Sequence, residues 1–126
     1  MKRVTGIGGI FFKSQDPKRL GAWYREHLGL DVSEWGGAIF QWGGPESSSG
    51  MTIWSPFAAD TDKMEPSSAS FMVNFRVADL DALLAVLRAE GCNVIDNTEP
   101  SDFGKFGWVI DPDGNKVELW EPPVGQ

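Results

Sequence analysis

The sequence is short of several things. It has one cysteine, one histidine and one tyrosine, and its 11 Lys and Arg are outnumbered by 18 Asp and Glu. A single cysteine, Cys92, cannot close an internal disulfide, which fits a reducing cytoplasm. A net charge of −7 disfavours a phosphate-backbone partner, because nucleic-acid affinity comes largely from Lys and Arg; here it reads as a solubility feature. No apolar run approaches the length needed to cross a bilayer. Met1-Lys2-Arg3-Val4-Thr5 leads into a short strand broken by glycines, not into a long apolar stretch with a small-residue cleavage site, so no secretory signal is expected. These shortages predict a cytoplasmic protein without nucleic-acid or membrane partners.

Aromatic residues, in contrast, are in excess. Six Trp and eight Phe in 126 residues exceed what a core of this size needs, so some rings should line a pocket or an interface. The length suits one domain, and a hydrophobic share of 41% supports a real core.

Two similar halves follow along the chain. Val4–Lys13 reads as a strand. Asp16 then caps a helix that has Pro17 at its first position, Leu20, Trp23, Tyr24 and Leu28 on one face, and Gly29 as its stop. Three strands are expected next, at Asp31–Trp35, Ala38–Trp42 and Met51–Ser55, with Gly36-Gly37 as a turn. Pro56 to Ser68 is polar and reads as a linker. Ala69–Val77 alternates strictly, with Phe71, Val73, Phe75 and Val77 on one face and Met72, Asn74 and Arg76 on the other. Asp79 caps a second helix that carries Leu80, Leu83, Leu84 and Leu87 and stops at Gly91. Strands at Asn93–Asn97, Phe106–Asp111 and Lys116–Glu121 complete the chain, the last two joined by the turn Asp111-Pro112-Asp113-Gly114-Asn115. The reading is one α+β domain over 1–126: a module at about 1–57, a linker at about 58–68 and a module at about 69–122. It repeats a β-α-β-β-β unit of roughly 60 residues. One helix covers only one face of each sheet, so the two twisted sheets leave a half-barrel cup.

The stretch Trp23-Tyr24-Arg25-Glu26-His27-Leu28-Gly29-Leu30 resembles the "FY-x-x-x-LG-L" first-helix signature of the glyoxalase/bleomycin resistance/extradiol dioxygenase (vicinal oxygen chelate) superfamily. Asp111-Pro112-Asp113-Gly114-Asn115-Lys116-Val117-Glu118-Leu119-Trp120 is similar to its "DPDGN-x-x-E-L" hairpin. The resemblance spans nearly the whole chain. It implies paired β-α-β-β-β modules around a metal or ligand cup, and frequent homodimers. In metal-dependent members the ligands, usually His or Glu, stand on the first, fourth, fifth and eighth strands. Here those positions hold Gly9, a residue near Ile53 or Trp54 whose register stays open, Met72 and Glu118. Only Glu118 is a family-type ligand. Glycine has no donor and a thioether is soft, so no cofactor is expected and a divalent metal is disfavoured.

The two-residue period puts Gly9, Phe11, Met72, Asn74, Arg76, Glu118 and Trp120 on the cup face, with Phe40, Trp42, Trp54, Phe106 and Trp108 as wall candidates. The ligand-binding residues expected from this are Phe11, Trp42, Trp54, Met72, Asn74, Arg76, Trp108 and Trp120, with Glu118 as the candidate catalytic group. Blander readings stand beside these. Glu118 pairs with Arg76 for structure alone, because a buried charge needs a partner. Met72 is packing. His27 is solvated on the outside of the first helix, and Cys92 is a small apolar filler. Gly43-Gly44-Pro45 and Ser47-Ser48-Ser49-Gly50 form a surface loop. It is not a phosphate loop, since no Lys-Ser/Thr follows. Three functions remain open: a metal-free binder of a small aromatic or apolar molecule; a glyoxalase-like lyase, isomerase or epimerase with Glu118 as base and Arg76 or Asn74 at the enolate; and a vestigial cup filled by its own side chains.

Overall fold

The computed structural model describes residues 3–43 and 50–124, so most of the expected 43–50 loop lies outside the described residues. The chain runs β1 (Val4–Ser14), α1 (Pro17–Leu28), β2 (Ala38–Gln41), β3 (Met51–Ala58), β4 (Phe71–Val77), α2 (Leu80–Ala89), β5 (Asn93–Val94), β6 (Glu99–Ser101), β7 (Gly104–Ile110) and β8 (Lys116–Glu121). The strands form one eight-stranded sheet in the order β2-β3-β1-β4-β8-β7-β5, with β6 beside β7. In each half the first strand lies parallel to the last, β1 with β3 and β4 with β8, and the two halves join where β1 and β4 pair antiparallel. The curled open sheet with two helices is the α+β half-barrel expected from the repeat.

The caps follow from the residues named above. The Arg19 amide donates to Asp16 Oδ1 at 3.1 Å, and the Ala82 amide donates to Asp79 Oδ1 at 3.1 Å, each satisfying a helix-start donor. Gly29 and Gly91 take φ of 68° and 82°, a left-handed geometry that stops a helix at no Cβ cost. In the last hairpin, Asp111 Oδ1 accepts from the amides of Asp113 and Asn115, both at 2.9 Å.

Several features differ from the expectations above. Asp31–Trp35 is not a strand: the Gly36 amide donates to the Ser33 carbonyl in a tight turn, and the chain reaches the sheet only at Ala38. The second half instead has an extra short strand, β6. The apolar face of α1 is not buried, since Trp23 and Leu28 stay at least half exposed and only Gly21 is buried. By comparison α2 buries Leu80, Leu83 and Leu84 against Val77 and Leu119. Cys92 is exposed and so fills nothing. The linker is anchored, not loose. Met64 is completely buried against Met72 and Trp108, and the Ser67 amide closes a turn onto the Met64 carbonyl at 2.8 Å.

A candidate binding site in the cup

The cup is built on a row of residues in register across the sheet. Ile53 of β3 pairs with Gly9 of β1, Gly9 with Asn74 of β4, Asn74 with Glu118 of β8, and Glu118 with Trp108 of β7. Cross-strand partners share a face, so this row lines one side of the sheet. The register also settles the third strand. Ile53 faces the cup, whereas Trp54 faces the helices, packed on Tyr24 at 4.7 Å and Phe12 at 5.4 Å between ring centroids. Trp54 is therefore not a cup residue, contrary to the expectation that it binds ligand; the register puts Ile53 there instead. Phe40 sits half-exposed on the edge strand β2.

The remaining expected residues divide into two clusters. On one side, Phe106 stacks on Trp120 with rings 6.1 Å apart at 4°, and the Arg76 guanidinium lies 5.1 Å from the ring centres of both Trp120 and Trp42. This stack of two tryptophans, an arginine and a phenylalanine fills that part of the cup with the protein's own side chains. Glycine at position 8 makes room for it, since a Cβ there would collide with Asn74 Oδ1 and lie 2.8 Å from Trp120 Cε3. Burial lowers the pKa of Arg76, and no salt bridge joins it to Glu118.

On the other side lies a cavity of about 260 Å³. Phe57, Met72 and Trp108 supply apolar walls, and Glu118 supplies a buried carboxyl. The Asn74 amide donates from Nδ2 to Glu118 Oε2 at 2.8 Å, and the Trp108 indole donates to Oε1 at 3.2 Å. Burial pushes the Glu118 pKa up, opposed by these two bonds and by the charge of Lys116. Phe11 does not line the cavity but stacks on Phe57 at 5.2 Å. His27 is exposed on α1, as expected.

Six residues of this site were missed from sequence, Asp62, Asn97 and Glu99 among them. Phe57 and Lys63 line the cavity, and Lys116 holds its Nζ 5.1 Å over the Trp108 ring while donating to the Lys63 carbonyl at 2.8 Å. Lys116 was discoverable, standing two residues before Glu118 and so on the same face of β8. Lys63 was not, because its polar segment carries no period.

The residues at the family's ligand positions do not fit a divalent ion. Gly9 and Ile53 have no donor, and a side chain at Gly9 would meet the Phe11 ring at 2.7 Å. On β4 the residue in register with Gly9 and Glu118 is Asn74, not the expected Met72: the Asn74 amide is bonded to Glu118, and Met72, two residues away, offers only a soft thioether. No cluster of three or more His, Cys, Asp or Glu able to hold a metal exists among the described residues.

Comparison with known proteins gives a consistent picture of ancestry. A family model described as a glyoxalase-like domain matches residues 9–120. A methylmalonyl-CoA epimerase solved with methylmalonyl-CoA and NH4+ superposes with a TM-score of 0.72 at 19% identity, covering 98% of each chain. A Streptomyces coelicolor methylmalonyl-CoA epimerase variant in complex with 2-nitronate-propionyl-CoA gives 0.71 at 20% identity over 96% of each chain. The Mycobacterium tuberculosis methylmalonyl-CoA epimerase gives 0.65 at 20% identity, covering 98% of this chain and 91% of the other. At such identities the likeness is one of fold. No curated protein matches the sequence. With the family model spanning most of the chain, and the paired modules in place, this protein belongs to the glyoxalase-like domain family of the vicinal oxygen chelate superfamily.

Proposed function

We propose that this protein binds a small organic molecule with an aromatic or apolar body in the cup, without a metal ion. The observation that carries the reading is the 260 Å³ cavity, in which Phe57, Met72 and Trp108 stand beside the buried Glu118 carboxyl within an otherwise charged and polar lining. Apolar rings beside a buried polar group offer a small molecule both contact area and a point of orientation. The donor set at the family's metal positions supports the metal-free part. The test is calorimetric titration with compact aromatic compounds and, separately, with divalent ions. Saturable binding that survives chelation is expected. No binding across a broad aromatic set would overturn the binder reading. A metal-induced rise in melting temperature that disappears in Glu118→Gln would overturn the metal-free one.

A second reading, an epimerase or isomerase, has a specific observation in its favour. Glu118 has a raised affinity for a proton and lines the cavity, as suits a base that removes a proton next to a carbonyl. The similar epimerase structures act on such a carbon acid. Against it, the expected enolate partners are engaged elsewhere: Asn74 Nδ2 bonds Glu118, and Arg76 is held between Trp42 and Trp120. Deuterium uptake from D2O into methylmalonyl-CoA, lost in Glu118→Gln, would establish it.

The partner set proposed here includes a second copy of the chain, in a cytoplasmic setting. On the helix side of the β1–β4 seam, Val4, Ile7, Ile10 and Phe71 are each 38–45% exposed and form a stripe without charge on a chain of net charge −7. Two copies joined across a two-fold axis would cover it.

A further inference from the structure

We propose that the polar end of the ligand is a cationic nitrogen, a primary ammonium or an amidinium, seated against Glu118. The inference rests on the cup being a binding site and adds the chemistry that the site selects.

Glu118 is a buried carboxyl that no cation neutralises at contact. The ion pairs among the described residues are Arg3–Glu90, His27–Glu26 and Lys105–Asp81, none of them in the cup. Lys116 is the nearest cation in sequence and its charge acts on Glu118, but its Nζ bonds the Lys63 carbonyl and lies over the Trp108 ring, and no ion pair to Glu118 is formed. Both groups that do bond Glu118, the Asn74 amide and the Trp108 indole, are neutral. A carboxylate has about four lone-pair sites, so capacity remains on the side that faces the cavity.

Asn74 Oδ1, buried with no hydrogen-bond partner among the described residues, lies towards Gly8 and Trp120, so the Glu118 carboxyl remains the buried acceptor that lines the cavity. Around the cavity, Asp62 and Glu99 face Lys63 and Lys116, so with Glu118 the acids are in excess. A ligand cation would supply the missing donor and the missing charge together, and its N–H bonds to Glu118 would be charge-assisted. A ligand carboxylate would instead put two like charges in one desolvated space.

The test uses three probes of similar shape, benzylamine, benzyl alcohol and benzoate, titrated calorimetrically into the full chain at pH 7.5 or above (a working value chosen about three units above a normal Glu pKa). Benzylamine should bind about tenfold or more tighter than benzyl alcohol, with benzoate weakest. In Glu118→Gln the preference should collapse while benzyl alcohol still binds. Benzyl alcohol or benzoate binding as tightly as benzylamine would overturn the inference and leave the cup standing as a binding site. No saturation by any probe would remove the binding site and the inference with it. Should Glu118→Gln fail to fold by circular dichroism, the native chain decides. Benzylamine affinity that falls as pH drops through the raised Glu118 pKa supports the pairing, with Asp62, Glu99, Lys63 and Lys116 as the other charged groups facing the cavity. Affinity that ignores pH overturns it.

Discussion

Glu118 and Asp111 are both carboxyls of the same hairpin, and their environments push them in opposite directions. Burial dominates at Glu118 and raises its pKa, whereas the Asn115 backbone amide, first among several donors, lowers that of Asp111. A raised acid contributes stability that is complete below its unfolded pKa and is lost as pH rises through the folded value. Replacing Glu118 by Gln should therefore change stability in a pH-dependent way. The variant should gain relative to the native chain as pH climbs from the normal carboxylate range through the raised value, as read from denaturant midpoints at several pH values. A difference that stays flat with pH would count against the buried, proton-favouring environment. Gly8 is the other decisive residue. In Gly8→Ala the methyl would strike Asn74 Oδ1 and crowd Trp120, so a loss of about 1–3 kcal/mol is expected on chemical denaturation, from overpacking alone.

Among the elements, the linker between the modules contributes more to the cup than its composition suggests. Met64 fills the space between Met72 and Trp108, with Phe11, Phe57, Ile95 and Phe106 packed around them. Met64→Ala should cost about 2–5 kcal/mol by denaturant unfolding, the range for emptying a buried site. The helices are unequal. α2 buries three leucines, whereas α1 buries only Gly21, so amides of α1 should exchange with deuterium faster than those of α2. This contrast shows what the sequence could reveal. The strict alternation of Phe71 to Val77 fixed the phase of β4, and with it Asn74 and Arg76, because one face of that strand is wholly apolar. The caps and the Asp111 hairpin were legible because their chemistry is local. Asp31–Trp35 was not, since its fate depends on a Ser33–Gly36 turn and on a sheet edge that only tertiary pairing defines. Met64 was hidden for the same reason: a single apolar residue among Asp, Lys, Pro and Ser has no period to announce that it is buried. Trp54 was assigned to the wrong face because a short apolar run reads equally well in either phase until a neighbouring strand pins it.

The whole molecule is a continuous sheet whose centre, the β1–β4 seam, carries an exposed apolar stripe on its helix side. Placing a charge there, as in Ile7→Glu or Ile10→Glu, should turn a dimer into a monomer in sedimentation equilibrium with little effect on the cup, which lies on the opposite face. A native chain that sediments as a monomer at high concentration would count against the proposed second copy.

The Trp42–Arg76–Trp120 sandwich draws its rings from different modules, Trp42 from the first and Trp120 from the second. The two repeats are thus no longer interchangeable: a protein assembled from two copies of residues 1–57, or from two copies of 69–122, would leave a guanidinium missing or flanked on one side only. The modules are complementary halves, and a sandwich of this kind forms only when both are present.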